Sequence, residues 1–399
     1  DPFHRSDLHR KVMNMFKKSL IAVAALSALA GSAMAADVTI YGRIDTGFRY
    51  SNVDYDVPGV DDKSTFEMSS GNYTGNRVGI KGSEDLGNGM TVGFVLENGF
   101  DSDDGSFDSN EDLFGREALL YVEGDFGKVG FGRMGILNST AGSFAIGNFT
   151  PWGTGWGAVG DQSLIFGANI GSRWDNMISY RSPEFAGVQI HAQYSFGANT
   201  TGDEVEGKTT TDRYYALGAT YKNGGLNLIG IVDSINEKHA AGTEDPDDTL
   251  RVTIGGSYDF GVVKPYLSAA YFKDARMKSW MDSYNTEGKT GTLDQLKGDW
   301  DGYGVIIGAS APLVGGTAHM TIGYMDAEAQ KDYVATFDPN GADLTRYTFA
   351  IGYEYPLSKR TKVYADAGYF KDEMDYNSKD WIDRDPEGYQ AAVGLVHFF

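Results

Sequence analysis

The stretch Arg346-Tyr-Thr-Phe-Ala-Ile-Gly-Tyr-Glu-Tyr355 decides the fold, because its side chains alternate in character at every step. Its odd-numbered positions are aromatic or aliphatic, and its even-numbered positions are small, polar or charged. Successive side chains of a β-strand point to opposite faces, so this alternation predicts a strand with one apolar and one polar face. The same pattern returns in Leu250–Phe260, in Val188–Ser195 and at intervals along the whole chain.

Short and long connections alternate between these strands. Seven tight turns are rich in Gly, Asn and Pro, and eight long polar connections separate them, at 51–71, 101–111, 135–172, 197–211, 235–248, 274–299, 327–342 and 372–386. Fifteen connections predict sixteen strands, an even number that suits a bacterial barrel. Bulky charges on the polar faces and aromatic residues at strand ends favour a membrane barrel over a soluble sandwich. We therefore predict an all-β fold, a transmembrane antiparallel β-barrel with short periplasmic turns, long extracellular loops and a water-filled lumen.

The N-terminal region has the features of an export signal. Residues 1–14 show no periodicity and are expected to be a non-structural leader, either untranslated or left by cloning. Met15 is followed by two lysines, by the apolar run Leu20–Ala30 and by the cleavage pattern Ala33-Met-Ala35. We predict a signal peptide over 15–35 and the barrel over 36–399.

Composition argues against several classes of function. The net charge of −21 does not suit a nucleic-acid-binding surface, and the absence of cysteine excludes disulfides, thiolate metal sites and cysteine nucleophiles. There is no Gly-x-Ser-x-Gly motif and no plausible Ser–His–carboxylate set, so an enzyme is not expected. No cofactor or metal site is expected either. The acidic residues gather in the long connections, where they would be solvated and would attract cations to one pore entrance.

Seven stretches, in this order, resemble the general trimeric porins of Gram-negative bacteria, most of all the β-proteobacterial branch: Val38–Gly42, Asn76–Gly87, Phe126–Arg133, Asn176–Tyr180, Pro183–Gly187, Leu357–Thr361 and Val393–Phe399. The resemblance implies a homotrimer in the cell outer membrane, in contact with lipid and lipopolysaccharide, with the third long loop folded inward to narrow the pore. The last strand ends in Phe399 and resembles the signal that the barrel assembly machinery recognises.

The third long connection, 135–172, is long enough to suggest a functional role. Asp161 is its only ionisable side chain, and it is rich in aromatic residues, namely Phe144, Phe149, Trp152, Trp156 and Phe166. These aromatic side chains either pack the loop against the barrel wall or form an apolar contact strip for sugar-like solutes.

The resemblance also implies an arginine cluster on the wall opposite this loop, at Arg77, Arg116 and Arg173. Alternation independently turns Arg77, Arg173 and Arg43 toward the lumen. Strict alternation instead turns Arg116 toward lipid or a neighbouring subunit. A β-bulge, or a position above the membrane band, would return it to the lumen.

Together these features predict a channel for passive diffusion of ions and small hydrophilic solutes. Arg77, Arg173, Arg116, Arg43 and Asp161 would line its constriction, where fixed charges concentrate counter-ions. The electric field of the acidic outer loops is screened beyond about 8 Å at physiological salt, so the charges of the constriction are expected to decide the selectivity. The expected result is weak anion selectivity or near-neutrality. The alternative is a substrate-specific, sugar-type porin that uses the loop aromatics.

Overall fold

The fold is that of a computed structural model, which describes residues 37–107, 112–167, 172–197, 211–236, 247–281, 284–286, 289–291, 299–329, 341–376 and 383–399. The predicted leader (1–14) and signal peptide (15–35) lie outside the described residues.

Strands make up most of the described chain: β1 Thr39–Asp54, β2 Lys63–Ser70, β3 Arg77–Gly87, β4 Met90–Gly99, β5 Glu117–Gly124, β6 Gly127–Gly135, β7 Arg173–Arg181, β8 Val188–Ser195, β9 Arg213–Asn223, β10 Leu226–Asn236, β11 Thr249–Tyr258, β12 Lys264–Ala275, β13 Tyr284–Thr286, β14 Lys289–Gly291, β15 Trp300–Leu313, β16 Gly316–Ala329, β17 Ala342–Pro356, β18 Thr361–Tyr376 and β19 Glu387–Phe398. A short 3-10 helix, Gln162–Leu164, lies between β6 and β7. None of the described helical residues belongs to a helix long and apolar enough to cross a membrane.

Strand β1 closes the sheet into a barrel. It pairs antiparallel with β19 on one side and with β2 and β3 on the other. Since β2 and β3 follow each other along one edge of β1, together they fill a single position of the barrel. The remaining strands pair antiparallel with their neighbours in the chain, and only the hairpin of β13 and β14 stands apart from the sheet. The predicted closed antiparallel barrel of sixteen strands is confirmed.

The last residue takes part in this closure. The backbone N–H of Phe399 donates to the carbonyl of Gly42 at 3.0 Å, and the N–H of Gly42 donates to the carbonyl of Phe399 at 3.1 Å. The Phe399 ring covers Gly42 so closely that a Cβ there would lie 2.4 Å from it. Residue 42 is therefore restricted to glycine where the two chain ends meet.

Hydrogen bonds to Asp45 account for the break between β2 and β3. The carboxylate of Asp45, on β1, accepts a hydrogen bond from the Thr74 N–H at 2.7 Å and another from the Tyr364 hydroxyl at 2.7 Å. The Asp45 N–H donates to the side-chain oxygen of Asn76. The bonds to Thr74 and Asn76 hold residues 71–76 out of the regular ladder. In this segment Asp45 bonds to the Thr74 backbone and to the Asn76 side chain, in place of regular strand pairing.

Tight turns and long connections alternate as predicted, but the first long connection is shorter than expected. The segment predicted as a loop over 51–71 is mostly strand, since β1 extends to Asp54 and β2 begins at Lys63. Polar residues such as Ser, Asn and Lys led to the wrong boundary, because pairing with β19 and β2 outweighs their low strand propensity.

The two faces of the wall follow the sequence alternation. On β17 the side chains of Tyr347, Phe349 and Ile351 are exposed on the outer surface, whereas Arg346 and Ala350 are buried inside. An outer surface of apolar and aromatic side chains suits contact with lipid, and the inward-facing side chains line the lumen.

Candidate pore constriction

The connection between β6 and β7, residues 136–172 and here named loop 3, lies against the inner wall on the far side of the barrel. The indole N–H of Trp152 donates to the Thr321 hydroxyl on β16 at 2.8 Å. The carbonyl of Leu164 accepts a hydrogen bond from Arg346 on β17 at 3.0 Å. Strands β16 and β17 lie about half the circumference away from β6 and β7, so loop 3 crosses the lumen.

The five aromatic side chains of loop 3 are all buried, at 2–3% exposure: Phe144, Phe149, Trp152, Trp156 and Phe166. Glycines on the wall make room for them, since a Cβ at Gly255 would lie 2.2 Å from the Phe149 ring. In the same way, a Cβ at Gly352 would lie 2.7 Å from the Trp152 ring. These rings attach loop 3 to the wall. The alternative expectation, an apolar strip open to solutes, does not fit their burial.

Two of the predicted arginines share one carboxylate. Arg77, at the start of β3, donates to Glu97 Oε1 at 3.2 Å, and Arg116 Nε donates to the same oxygen at 2.9 Å. The Tyr41 hydroxyl donates to Glu97 Oε2 at 3.0 Å. Arg77 and Arg116 are 6% and 8% exposed, so the wall covers most of each side chain.

The inward orientation of Arg116 departs from strict alternation for a clear reason. Strand β5 begins only at Glu117, so Arg116 belongs to the preceding connection, where alternation does not apply. Its backbone N–H donates to the Glu97 carbonyl at 3.1 Å, which places its side chain beside the Glu97 carboxylate.

Arg43 and Arg173 lie in the same region. Both are close enough to Arg77 to interact with it electrostatically. The Arg43 guanidinium lies 5.8 Å from the centre of the Phe398 ring, and Arg173 Nη1 donates to the Ser172 hydroxyl at 3.0 Å. Both side chains are partly exposed, unlike Arg77. The structure therefore brings together the four predicted arginines, Arg43, Arg77, Arg116 and Arg173, here named the arginine cluster.

Carboxylates offset part of this positive charge. Besides Glu97, the cluster includes Glu117, which interacts with Arg173 and accepts hydrogen bonds from the backbone N–H and the hydroxyl of Ser143 at 2.6 and 2.8 Å. Because Ser143 belongs to loop 3, Glu117 connects the cluster to the loop. Asp45 of β1 interacts electrostatically with Arg43. Among the described residues, four arginines therefore stand beside three carboxylates, Glu97, Glu117 and Asp45.

Asp161, the only ionisable residue of loop 3, is paired. Its carboxylate accepts a hydrogen bond from the Lys278 ammonium and another from the Ser163 N–H at 2.9 Å. Lys278 lies in the connection after β12 and keeps 41% of its side chain exposed. The loop side of the lumen is therefore close to neutral.

Within the described part of the chain, an open cavity lies inside the barrel on each side of loop 3. The upper cavity, toward the long connections, has a volume of about 520 Å³ and is lined by Asp161, Lys278 and Arg251 among others. The lower cavity, toward the tight turns, has a volume of about 310 Å³ and includes Lys222 and Lys264 in its lining. Cationic side chains line both.

Sequence reasoning missed two buried ion pairs that hold loop 3. Arg346 makes two hydrogen bonds to Asp372, each 2.7 Å long, and both side chains are fully buried. Arg251 pairs with Asp233 through bonds of 3.0 and 2.5 Å, next to loop 3 residue Asn138. The available signal was the inward side of the alternation, where both arginines interrupt otherwise small or polar positions.

Comparison with known proteins decides the family. The family model described as Gram-negative porin matches residues 22–375. The chain belongs to this family. The porin is 34% identical over 412 residues to an outer membrane porin protein of Bordetella pertussis, covering 96% of this chain and 100% of that protein. It is 30% identical over 375 residues to outer membrane porin protein 32 of Delftia acidovorans, covering 89% and 90% respectively.

Similarity to a solved porin structure agrees with this family assignment. The anion-selective porin from Comamonas acidovorans is similar to this porin with a TM-score of 0.60 and 25% sequence identity, covering 92% of this chain and 100% of that one. The porin is therefore a channel protein of the outer membrane of a Gram-negative bacterium, not an enzyme.

Proposed function

We propose that this porin lets ions and small hydrophilic solutes diffuse passively through a constriction between the arginine cluster and loop 3, with a weak preference for anions. The observation that carries the proposal is the charge balance. Four arginines face three carboxylates on the wall, Glu97, Glu117 and Asp45, and the single carboxylate of loop 3 is paired with Lys278. The constriction therefore keeps a net positive charge.

Burial strengthens the field of these charges. Arg77 and Arg116 are largely covered by protein, where the effective dielectric constant is lower than in water and Coulomb interactions are stronger. A fixed positive charge beside a narrow aqueous passage raises the local concentration of anions. Acidic residues of the long connections act from farther away and are screened beyond about 8 Å.

The similarity to the anion-selective porin from Comamonas acidovorans supports this sign of selectivity. The buried loop aromatics support a size-limited passage over a sugar-specific one, because four of the five line neither of the two cavities and Phe166 alone borders the upper one.

Three further proposals concern the setting of the channel. Residues 15–35 are a cleaved signal peptide preceded by a non-structural leader at 1–14, and the mature barrel spans 36–399. The tight turns face the periplasm and the long connections face outward, in contact with lipopolysaccharide. Three copies assemble in the membrane, delivered by the barrel assembly machinery through the strand that ends in Phe399.

Liposome swelling tests the proposal. Vesicles that contain the purified protein are diluted into uncharged sugars of increasing mass and into anions and cations of matched size. We expect swelling to fall smoothly with sugar mass, and anions to enter faster than cations of the same size. Rapid entry of one sugar out of order with its mass would favour a specific channel instead.

A further inference from the structure

One residue borders both cavities. Gly153 of loop 3 belongs to the lining of the upper cavity and of the lower cavity, and no other lining residue in the described part of the chain is common to the two. The two cavities therefore adjoin at Gly153. Its neighbour Thr154 is exposed and lines the upper cavity, while Asn148 lines the lower one.

Gly153 differs from the other glycines of loop 3. A Cβ at Gly147, Gly155 or Gly160 would lie 2.1, 1.6 or 2.2 Å from a backbone oxygen, so packing alone requires those glycines. A Cβ at Gly153 would meet nothing closer than the Asn148 side-chain nitrogen, at 4.0 Å. A side chain at this position would extend into open space where the two cavities adjoin.

We infer that Gly153 sets the size limit of the channel and is a position from which the charge preference can be altered. The inference rests on the proposed function and adds to it the point where the passage is narrowed. Lys222 and Lys264 line the cavity below Gly153, and Arg251 lines the cavity above. A carboxylate placed at residue 153 would offset the positive charge of Lys222 and Lys264 where the two cavities adjoin.

Backbone conformation restricts which replacements are informative. Gly153 has φ of +65°, a left-handed conformation that asparagine and aspartate tolerate better than other residues do. Gly224, in the tight turn between β9 and β10, has φ of +57° and also has open space around an added Cβ. Gly224→Asn is therefore a matched control with the same backbone requirement outside both cavities.

Single-channel recording of the refolded protein in planar bilayers tests the inference. We expect Gly153→Asn to lower conductance by about a third to a half, because its side chain fills part of the narrow cross-section. Gly153→Asp should lower it too and move the zero-current potential toward cation selectivity. Gly224→Asn should match the wild type. Equal conductance of Gly153→Asn and Gly224→Asn would overturn the inference.

A second variant leaves the Gly153 backbone unchanged. The chain has no cysteine, so Thr154→Cys provides a single site for a charged thiol reagent. Its modification should reduce the current in open channels, and an unchanged current after complete modification would contradict the inference. Wild-type channels that are cation-selective would instead refute the proposed function, while the size effect of Gly153→Asn would still be measurable.

Discussion

Replacing Arg346 tests how loop 3 is held inside the barrel. The guanidinium makes two 2.7 Å hydrogen bonds to Asp372, and it also donates to the carbonyls of Leu164 at 3.0 Å and Lys278 at 2.6 Å. It thus connects β17 and β18 to loop 3 and to the segment after β12. Arg346→Met would leave the Asp372 carboxylate buried without its partner and both carbonyls without this donor.

The expected cost follows from burial. Both side chains of the pair are 0% exposed, and removing one partner of a buried ion pair costs about 3–5 kcal/mol. The double variant Arg346→Met with Asp372→Leu should cost less than Arg346→Met alone, because no uncompensated charge remains. The matched control is Arg49→Met, since the Arg49–Glu67 pair is 37% and 40% exposed and such pairs contribute at most about 1 kcal/mol.

The assay is equilibrium unfolding in urea of the barrel refolded into lipid vesicles, followed by tryptophan fluorescence. Single-channel recordings should also show larger current fluctuations for Arg346→Met, because loop 3 loses its anchor at Leu164. If the free energies of unfolding of Arg346→Met and Arg49→Met differ by less than about 1 kcal/mol, the buried pair does not hold loop 3 in place.

Three other substitutions have defined outcomes. Glu97→Gln removes the carboxylate shared by Arg77 and Arg116 and should raise the anion-to-cation permeability ratio about tenfold, because one unit charge across about 6 Å of water changes the local anion and cation concentrations about threefold each, in opposite directions. A zero-current potential equal to that of an exposed control, Glu67→Gln, would count against it. Asp161→Asn frees the Lys278 ammonium and should shift the same potential in the same direction, whereas no shift would mean that Lys278 does not face the ion path. Gly255→Ala forces a Cβ to within 2.2 Å of the Phe149 ring and should destabilise the barrel by about 1–3 kcal/mol in the urea assay, while Gly230→Ala, with nothing within 4 Å of its Cβ, should be nearly neutral.

The barrel was predictable because its signals are local. The alternation in Arg346–Tyr355 reflects which side of one strand faces lipid, and each tight turn carries its own backbone requirement. The break at 71–76 was not predictable. It depends on the Asp45 carboxylate and on Tyr364, which is distant in sequence from that segment.

The sequence predicted which arginines belong to the candidate site, but it did not predict the contacts that they make there. Alternation and family resemblance brought Arg43, Arg77 and Arg173 to the lumen, and the contact of Arg77 and Arg116 with one carboxylate depended on where β5 starts. Glu97 was missed because a single inward carboxylate has no distinguishing sequence pattern. Likewise, the aromatic rings of loop 3 could be predicted to pack, but the glycines that receive them lie on distant strands.

The most direct test of the account is the zero-current potential of single channels in a planar bilayer under a tenfold KCl gradient. We expect the sign of an anion-selective channel, and a smaller potential when Arg77 and Arg173 are replaced by glutamine. A clearly cation-selective potential would contradict it, since wall or loop carboxylates would then outweigh the arginine cluster.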